Sequence, residues 1–171
     1  MNINTTYTKI ITGEDLMETA QHGSTLYPFQ FYYEDLSVFD FNCIEWHWHT
    51  ELEFIYIESG TVTLWIGEDQ FHLTEGNGIF INTKVLHRLY SPSKALIPNF
   101  VFMPSFITPC DSLIYQKYIL PIISSSLPFL VFHKKVCWQA KVLSIMRQII
   151  SAQDSVLSKE LLTSSLLQNL W

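Results

Sequence analysis

The densest group of chemically active side chains lies between Phe41 and Gly60, a run that holds His47, His49 and Glu53. One residue separates the two histidines, so on a strand both imidazoles point to the same side. Glu53 keeps that parity if the strand continues or reverses through a tight turn. His87 lies 34 residues beyond Glu53, after the turn Gly76-Asn77-Gly78. Three imidazoles and one carboxylate on adjoining strands form a donor set suited to a divalent metal such as Zn, Ni, Mn or Fe. Glu53 also has a plainer role, since a carboxylate beside imidazoles raises their pKa and holds them in place. Trp65 and Phe80 are candidate ring walls for an organic ligand. Trp46 and Trp48 alternate with the histidines and so face away from any interior those histidines share. His22, His72 and His133 have no partner at ligand spacing and read as surface or internally satisfied histidines.

The elements that must position these groups are short. Candidate strands run over 29–33, 43–49, 54–58, 61–66, 70–73, 78–81, 87–90 and 99–103, broken by turn signals such as Ser59-Gly60 and Ser91-Pro92-Ser93. That rhythm is all-β. In 61–66 the period is plain, with Val62, Leu64 and Ile66 on one face and Thr61, Thr63 and Trp65 on the other. A small barrel closed on itself accommodates so many short strands without exposed edges. After Pro109 the period changes. Asp111 is placed to cap a short helix over 112–120 that Pro121 stops, and an apolar run over 127–132 follows. Apolar residues at helical spacing then predict a helix over 136–152 and another over 158–170, with Ser158 as its cap. The leucines of those two helices are too many for a monomer's surface and predict a homodimer.

Composition sets limits on all of this. The chain has 171 residues, 48% of them hydrophobic and 15% charged, which suits one domain with a real core and excludes a disordered polyelectrolyte. The net charge of −6 argues against a nucleic-acid surface on these residues. The charge is unevenly placed: up to Thr83 there are 13 acids and one base, giving −12, and from Lys84 nine bases and three acids, giving +6. Residues 1–28 hold no apolar run resembling a signal peptide, no uncharged stretch is long enough for a membrane span, and the three cysteines include no C-x-x-C pair, so a reduced cytoplasmic protein with no membrane partner is expected.

With the spacings in hand, the chain resembles the cupin superfamily, whose motifs read G-x5-H-x-H-x3-4-E-x6-G and G-x5-P-x-G-x2-H-x3-N. His47, His49, Glu53 and Gly60 match the first motif, and Gly76 and His87 the second. Phe41 replaces the first glycine, Asn82 the proline, Lys84 the second glycine and Ser91 the asparagine. Within cupins, the wording around Trp46–Glu53 and Gly76–His87 is similar to the sensor domain of AraC-type transcription regulators. Gln116–Pro121, Trp138 and Glu160–Trp171 resemble that family's linker helices.

The resemblance covers about residues 29–171. It implies a mainly β fold, a cupin-type double-stranded β-helix followed by an α-helical tail. It divides the chain into an arm (1–28), a barrel (29–108) and a helical linker and dimerisation region (109–171). It implies an effector-sensing domain rather than an enzyme, taking a sugar or other small metabolite in the barrel. Such a domain would dimerise through its C-terminal helices and act on DNA through a helix-turn-helix module beyond Trp171. The competing expectation is a metal-dependent cupin enzyme, of isomerase or dioxygenase type, using His47, His49, Glu53 and His87.

Overall fold

The computed structural model describes residues 8–171; residues 1–7, the start of the expected arm, lie outside the described residues. Among the described residues nine strands form two antiparallel sheets. They are β1 (Phe29–Asp35), β2 (Cys43–His47), β3 (Leu52–Tyr56), β4 (Thr61–Ile66), β5 (Asp69–Thr74), β6 (Gly78–Ile81), β7 (His87–Tyr90), β8 (Leu96–Phe102) and β9 (Phe129–Phe132). One sheet runs β1-β8-β3-β6-β9 and the other β2-β7-β4-β5. The architecture is mainly β, the barrel that the strand rhythm implied and of the cupin type that the resemblance implied. All eight expected strands form, with ends displaced by a few residues. The ninth comes from the apolar run 127–132, which pairs with β6 and so adds a strand to the barrel from within the region expected to be helical.

Side-chain alternation builds two cores. Ile55, Ile79, Ile81 and Ile97 point between the sheets, where they meet Val62, Leu64 and Ile66 from β4. Their strand neighbours Phe54, Phe80, Phe100 and Phe102 point outward, into a second core against the helical tail. The five-stranded sheet is thus covered on both faces. This is why its strands read as nearly continuous apolar runs rather than as clean alternation.

The tail begins with a π-helical turn (Tyr115–Ile119) that runs into α1 (Leu120–Ile123). Pro121 does not stop this segment; it occupies the first turn of α1, where a missing N–H costs little. Ser112, not Asp111, provides the cap, its Oγ accepting from the Tyr115 N–H at 3.0 Å. Helix α2 (Cys137–Ala152) buries Leu143, Met146 and Ile149 against the sheet. A Cβ on Gly78 would stand 3.0 Å from Leu143 and 2.9 Å from the Ile55 carbonyl, so the close approach of α2 to β6 requires glycine there. Helix α3 (Lys159–Leu170) packs on α2. Ser158 stands at its N-cap position but makes no capping bond, its hydroxyl lying 3.2 Å from that of Ser155. Among the described residues no helix is long and apolar enough to cross a membrane.

One turn is strained. Phe41, at the position of the first cupin glycine, has φ 58° and its side chain is 89% exposed. A left-handed conformation costs a non-glycine residue about 1–2 kcal/mol, and no burial of this ring offsets it. Part of the gain on substitution is lost to the greater unfolded-state freedom of glycine. Phe41→Gly is therefore expected to stabilise the fold by about 0.5–1 kcal/mol, read from the midpoint of urea unfolding. A lower midpoint would show that the ring has a packing role.

Candidate functional site: a histidine cluster inside the barrel

His47 ends β2, His49 follows in the turn, Glu53 lies on β3 and His87 opens β7. Strict alternation from Ile44, which faces the interior, would turn His47 outward. A β-bulge between Ile44 and His47 inserts an extra residue against β7, and His47 faces inward opposite His87. One ligand nitrogen from each of His47, His49 and His87 then lies within 4.8 Å of the others, all three residues being buried. The His47 and His87 rings are 4.1 Å apart between centroids.

The outer nitrogens are held by the backbone. His47 Nδ1 donates to the Glu45 carbonyl at 2.8 Å and His87 Nδ1 to that of Val85 at 2.9 Å. Donation from Nδ1 leaves the Nε2 lone pair of each ring turned toward the cluster, the orientation that metal-ligating histidines take. Glu53 borders the trio, its Oε2 lying 3.2 Å from His87 Nε2 and 3.4 Å from His49 Nε2. Neither contact is aligned as a hydrogen bond, and Glu53 Oε2, His87 Nε2 and His49 Nδ1 are buried atoms without one among the described residues. Glu53 thus stands beside the trio, and the three imidazoles, within 4.8 Å of one another, are the group able to close on a divalent metal.

The electrostatics are uneven. Burial, and then His87, push the pKa of His47 well below its ordinary value, so that ring is neutral. Burial opposes the charged form of His49 too, but Glu53, with Glu18 and Glu51, outweighs it and raises that pKa. Burial likewise works against ionised Glu53, yet His49 and His87 hold the carboxyl far below its usual range.

Further groups converge here that spacing alone did not mark. His22 reaches in from the arm. It is 6% exposed, with Nδ1 2.9 Å from the Tyr32 hydroxyl, Nε2 3.3 Å from Glu18 and its ring edge-on to His49 at 5.6 Å. Asn99 Nδ2 donates to Glu34 at 2.9 Å in the same cavity. The signal for Tyr32, Glu34 and Asn99 was polar character at inward parity on β1 and β8; nothing local marks His22. The cavity they enclose is only about 30 Å³.

Trp65 and Phe80 are not part of this cluster. Trp65 stands on the outer face of β4 beneath the Arg88 guanidinium, 5.2 Å from the ring centroid, because Leu64 and Ile66 take the inward positions. Phe80 is turned to the helical side, because its neighbours Ile79 and Ile81 face the interior.

The arm closes over the cavity. Trp48, between His47 and His49, donates its N–H to the Leu16 carbonyl at 3.1 Å and accepts from the Glu18 N–H at 2.9 Å; its indole donates to Asp15 at 2.9 Å.

Comparison with known proteins places this geometry. An uncharacterised HTH-type transcriptional regulator, YdeC, of Bacillus subtilis (strain 168) is 24% identical over 143 residues, covering 81% of this chain and 48% of that protein. This chain therefore spans about half the length of that relative. Among solved structures, an RmlC-like cupin from Shewanella frigidimarina has 17% identity and TM-score 0.40 over 44% of this chain and 67% of its own. A conserved protein of unknown function from Streptococcus pyogenes has 18% identity and TM-score 0.42 over 58% of this chain and 98% of its own. The profile of the AraC-like ligand binding domain matches residues 30–171, and the chain belongs to that family.

Proposed function

We propose that this chain is the sensing domain of a transcription regulator and that its barrel binds a divalent transition metal through His47, His49 and His87, with Glu53 as a fourth donor. The carrying observation is the convergence of three buried imidazoles whose ligand atoms lie within 4.8 Å of one another. Cavity size supports an ion over an organic effector. About 30 Å³ takes roughly two water-sized ligands beside an ion, whereas sites for organic ligands run to about 300 Å³ or more. A sugar-sized effector would need Ile10, Glu18 and His22 to leave the mouth. Charge supports the same choice, since Glu18, Glu34 and Glu53 all line the cavity and favour a cation. DNA would be reached through a helix-turn-helix module of the full-length protein, a reading supported by the similarity to the HTH-type regulator of Bacillus subtilis. Exposed apolar residues near the tail helices, including Leu157 and Leu161, support self-association through that region.

A bound ion supplies a central positive charge that fixes the three imidazoles relative to one another. His47 and His49 then fix the backbone of Trp48, to which residues 15–18 are hydrogen-bonded, and the arm stays docked. Chymotrypsin cleavage near Leu16 and Met17 is therefore expected to slow at least tenfold when one equivalent of Co(II) is added. Equal cleavage rates with and without the ion would overturn the coupling. Co(II) absorbance and metal stoichiometry on untagged protein test the site itself.

A second reading, a metal-dependent cupin enzyme, draws on Glu18, His22 and Tyr32 at the same cavity, groups able to exchange protons with a ligand. A full-length protein whose DNA affinity is unchanged by metal would favour it.

A further inference from the structure

A second hollow lies on the opposite face of the five-stranded sheet, between it and the tail. Its volume is about 250 Å³, several times that of the barrel cavity, and no charged side chain lines it. Phe54 and Phe132 lie at its base as a parallel, stacked pair, their planes 5° apart and centroids 6.2 Å apart. Trp171 stands edge-on to Phe80 at 6.1 Å and 82°, and Trp138 edge-on to Phe132 at 6.4 Å and 89°, as two upright walls.

Polar ties outside the hollow prevent its collapse. The Trp171 indole donates to the Tyr118 carbonyl at 3.0 Å. Buried Asn82, at the position of the second-motif proline, donates from Nδ2 to the carbonyls of Ile122 and Leu127 at 3.0 and 2.9 Å, fixing the loop that carries the rim. An apolar space that is held open and bounded by aromatic rings gains by admitting a flat apolar body.

We propose that this cleft is a ligand site for a planar, apolar molecule of about ten heavy atoms, the size obtained by scaling from benzene in a cavity of about 150 Å³. The assignment is independent of the metal reading. A second copy of the chain would have to cover about 800 Å² of each partner, far more than this hollow, and is the alternative occupant that sedimentation distinguishes.

The probe is 2-naphthol, followed by ligand-observed NMR and by melting temperature, with D-glucose as a polar control of similar size. Saturable binding of 2-naphthol and none of glucose is expected. Val142→Phe, which fills the slot, should weaken binding at least tenfold. Trp138→Ala removes a wall that is 53% exposed, and so should weaken binding about tenfold without endangering the fold. His87→Ala, which disables the barrel site, should leave naphthol binding unchanged, so the two sites fail separately. No saturable naphthol binding, equal binding of glucose, or unchanged affinity in both cleft variants would overturn the proposal. So would a dimer, seen by sedimentation, that naphthol cannot enter and Val142→Phe disrupts.

Discussion

His87→Ala is expected to lower affinity for Co(II) at least a hundredfold and to abolish the metal-dependent rise in melting temperature. His87 is fully buried, its Nδ1 is committed to the Val85 carbonyl, and its Nε2 meets Glu53 at 3.2 Å. Alanine removes one of three imidazoles, and losing even an outer-shell partner costs about 10–100-fold. In the unsubstituted protein, free metal at a hundred times its Kd should add about 2.7 kcal/mol of stability. For a chain of this size that is about 5–11 °C. Calorimetric titration and thermal unfolding read both quantities. His47→Gln, which keeps a polar group of similar reach, separates ligand loss from misfolding. Unchanged affinity in both variants would sink the metal reading.

The same titration has a pH signature. The raised pKa of His49 keeps its imidazole charged above the ordinary value of 6.5, and a metal must displace that proton. His47 is already neutral, because its pKa lies well below 6.5, and Glu53 is already ionised. Affinity should therefore climb as pH rises from 6.5 through the raised pKa of His49, with about one proton released per ion, and level off above it. A flat profile across that window would remove His49 from the ligand set.

Phe100→Ala is expected to cost about 4 kcal/mol and to lower the melting temperature by about 8–16 °C. Phe100 is fully buried on the helical face of β8, stacked on Phe54 at 5.4 Å and 18° and near Phe29 at 5.9 Å. Its neighbours Asn99 and Val101 face the barrel cavity instead. The damage should thus fall on the layer joining sheet and tail, while Co(II) still binds at one equivalent with affinity changed less than about tenfold. Urea unfolding and metal titration of one sample check both. Loss of metal binding from a folded variant would show that the two faces are coupled more tightly than their alternation implies.

Much of the barrel was legible because its signals are local. In β4 the inward Val62, Leu64 and Ile66 are an unbroken period of two, and turn residues bracket each strand. The donor types at 47, 49, 53 and 87, with Gly60 and Gly76, carried the resemblance to cupins, and the wording around Trp46–Glu53 and Gly76–His87, with the tail segments, carried the resemblance to the regulator branch. The candidate rings lie away from the histidine cluster for a physical reason. Phe80 is on a strand whose two faces are both covered, so residue type alone cannot tell the inner face from the outer one, whereas Trp65 takes the outer face of β4, opposite Leu64 and Ile66, as the period of that strand requires. The run 127–132 has the length and composition of a strand, but only its pairing with β6 made it one.

The sequence by itself determined the strand period, the acid-rich first half and a set of three imidazoles and a carboxylate of types able to hold an ion. Only the tertiary structure decided that His47 points inward, because the bulge after Ile44 reverses its parity and is set by pairing with β7. It alone brought His22 and Glu18 over the cavity, since backbone bonds from Trp48 to residues some thirty positions earlier dock the arm. It alone also opened the aromatic cleft, which needs the sheet, α2 and the last turn of α3 together. Periodicity reports the neighbours of a residue along the chain. Bulges, docked arms and clefts are set by partners that are distant in sequence, and no local pattern records them.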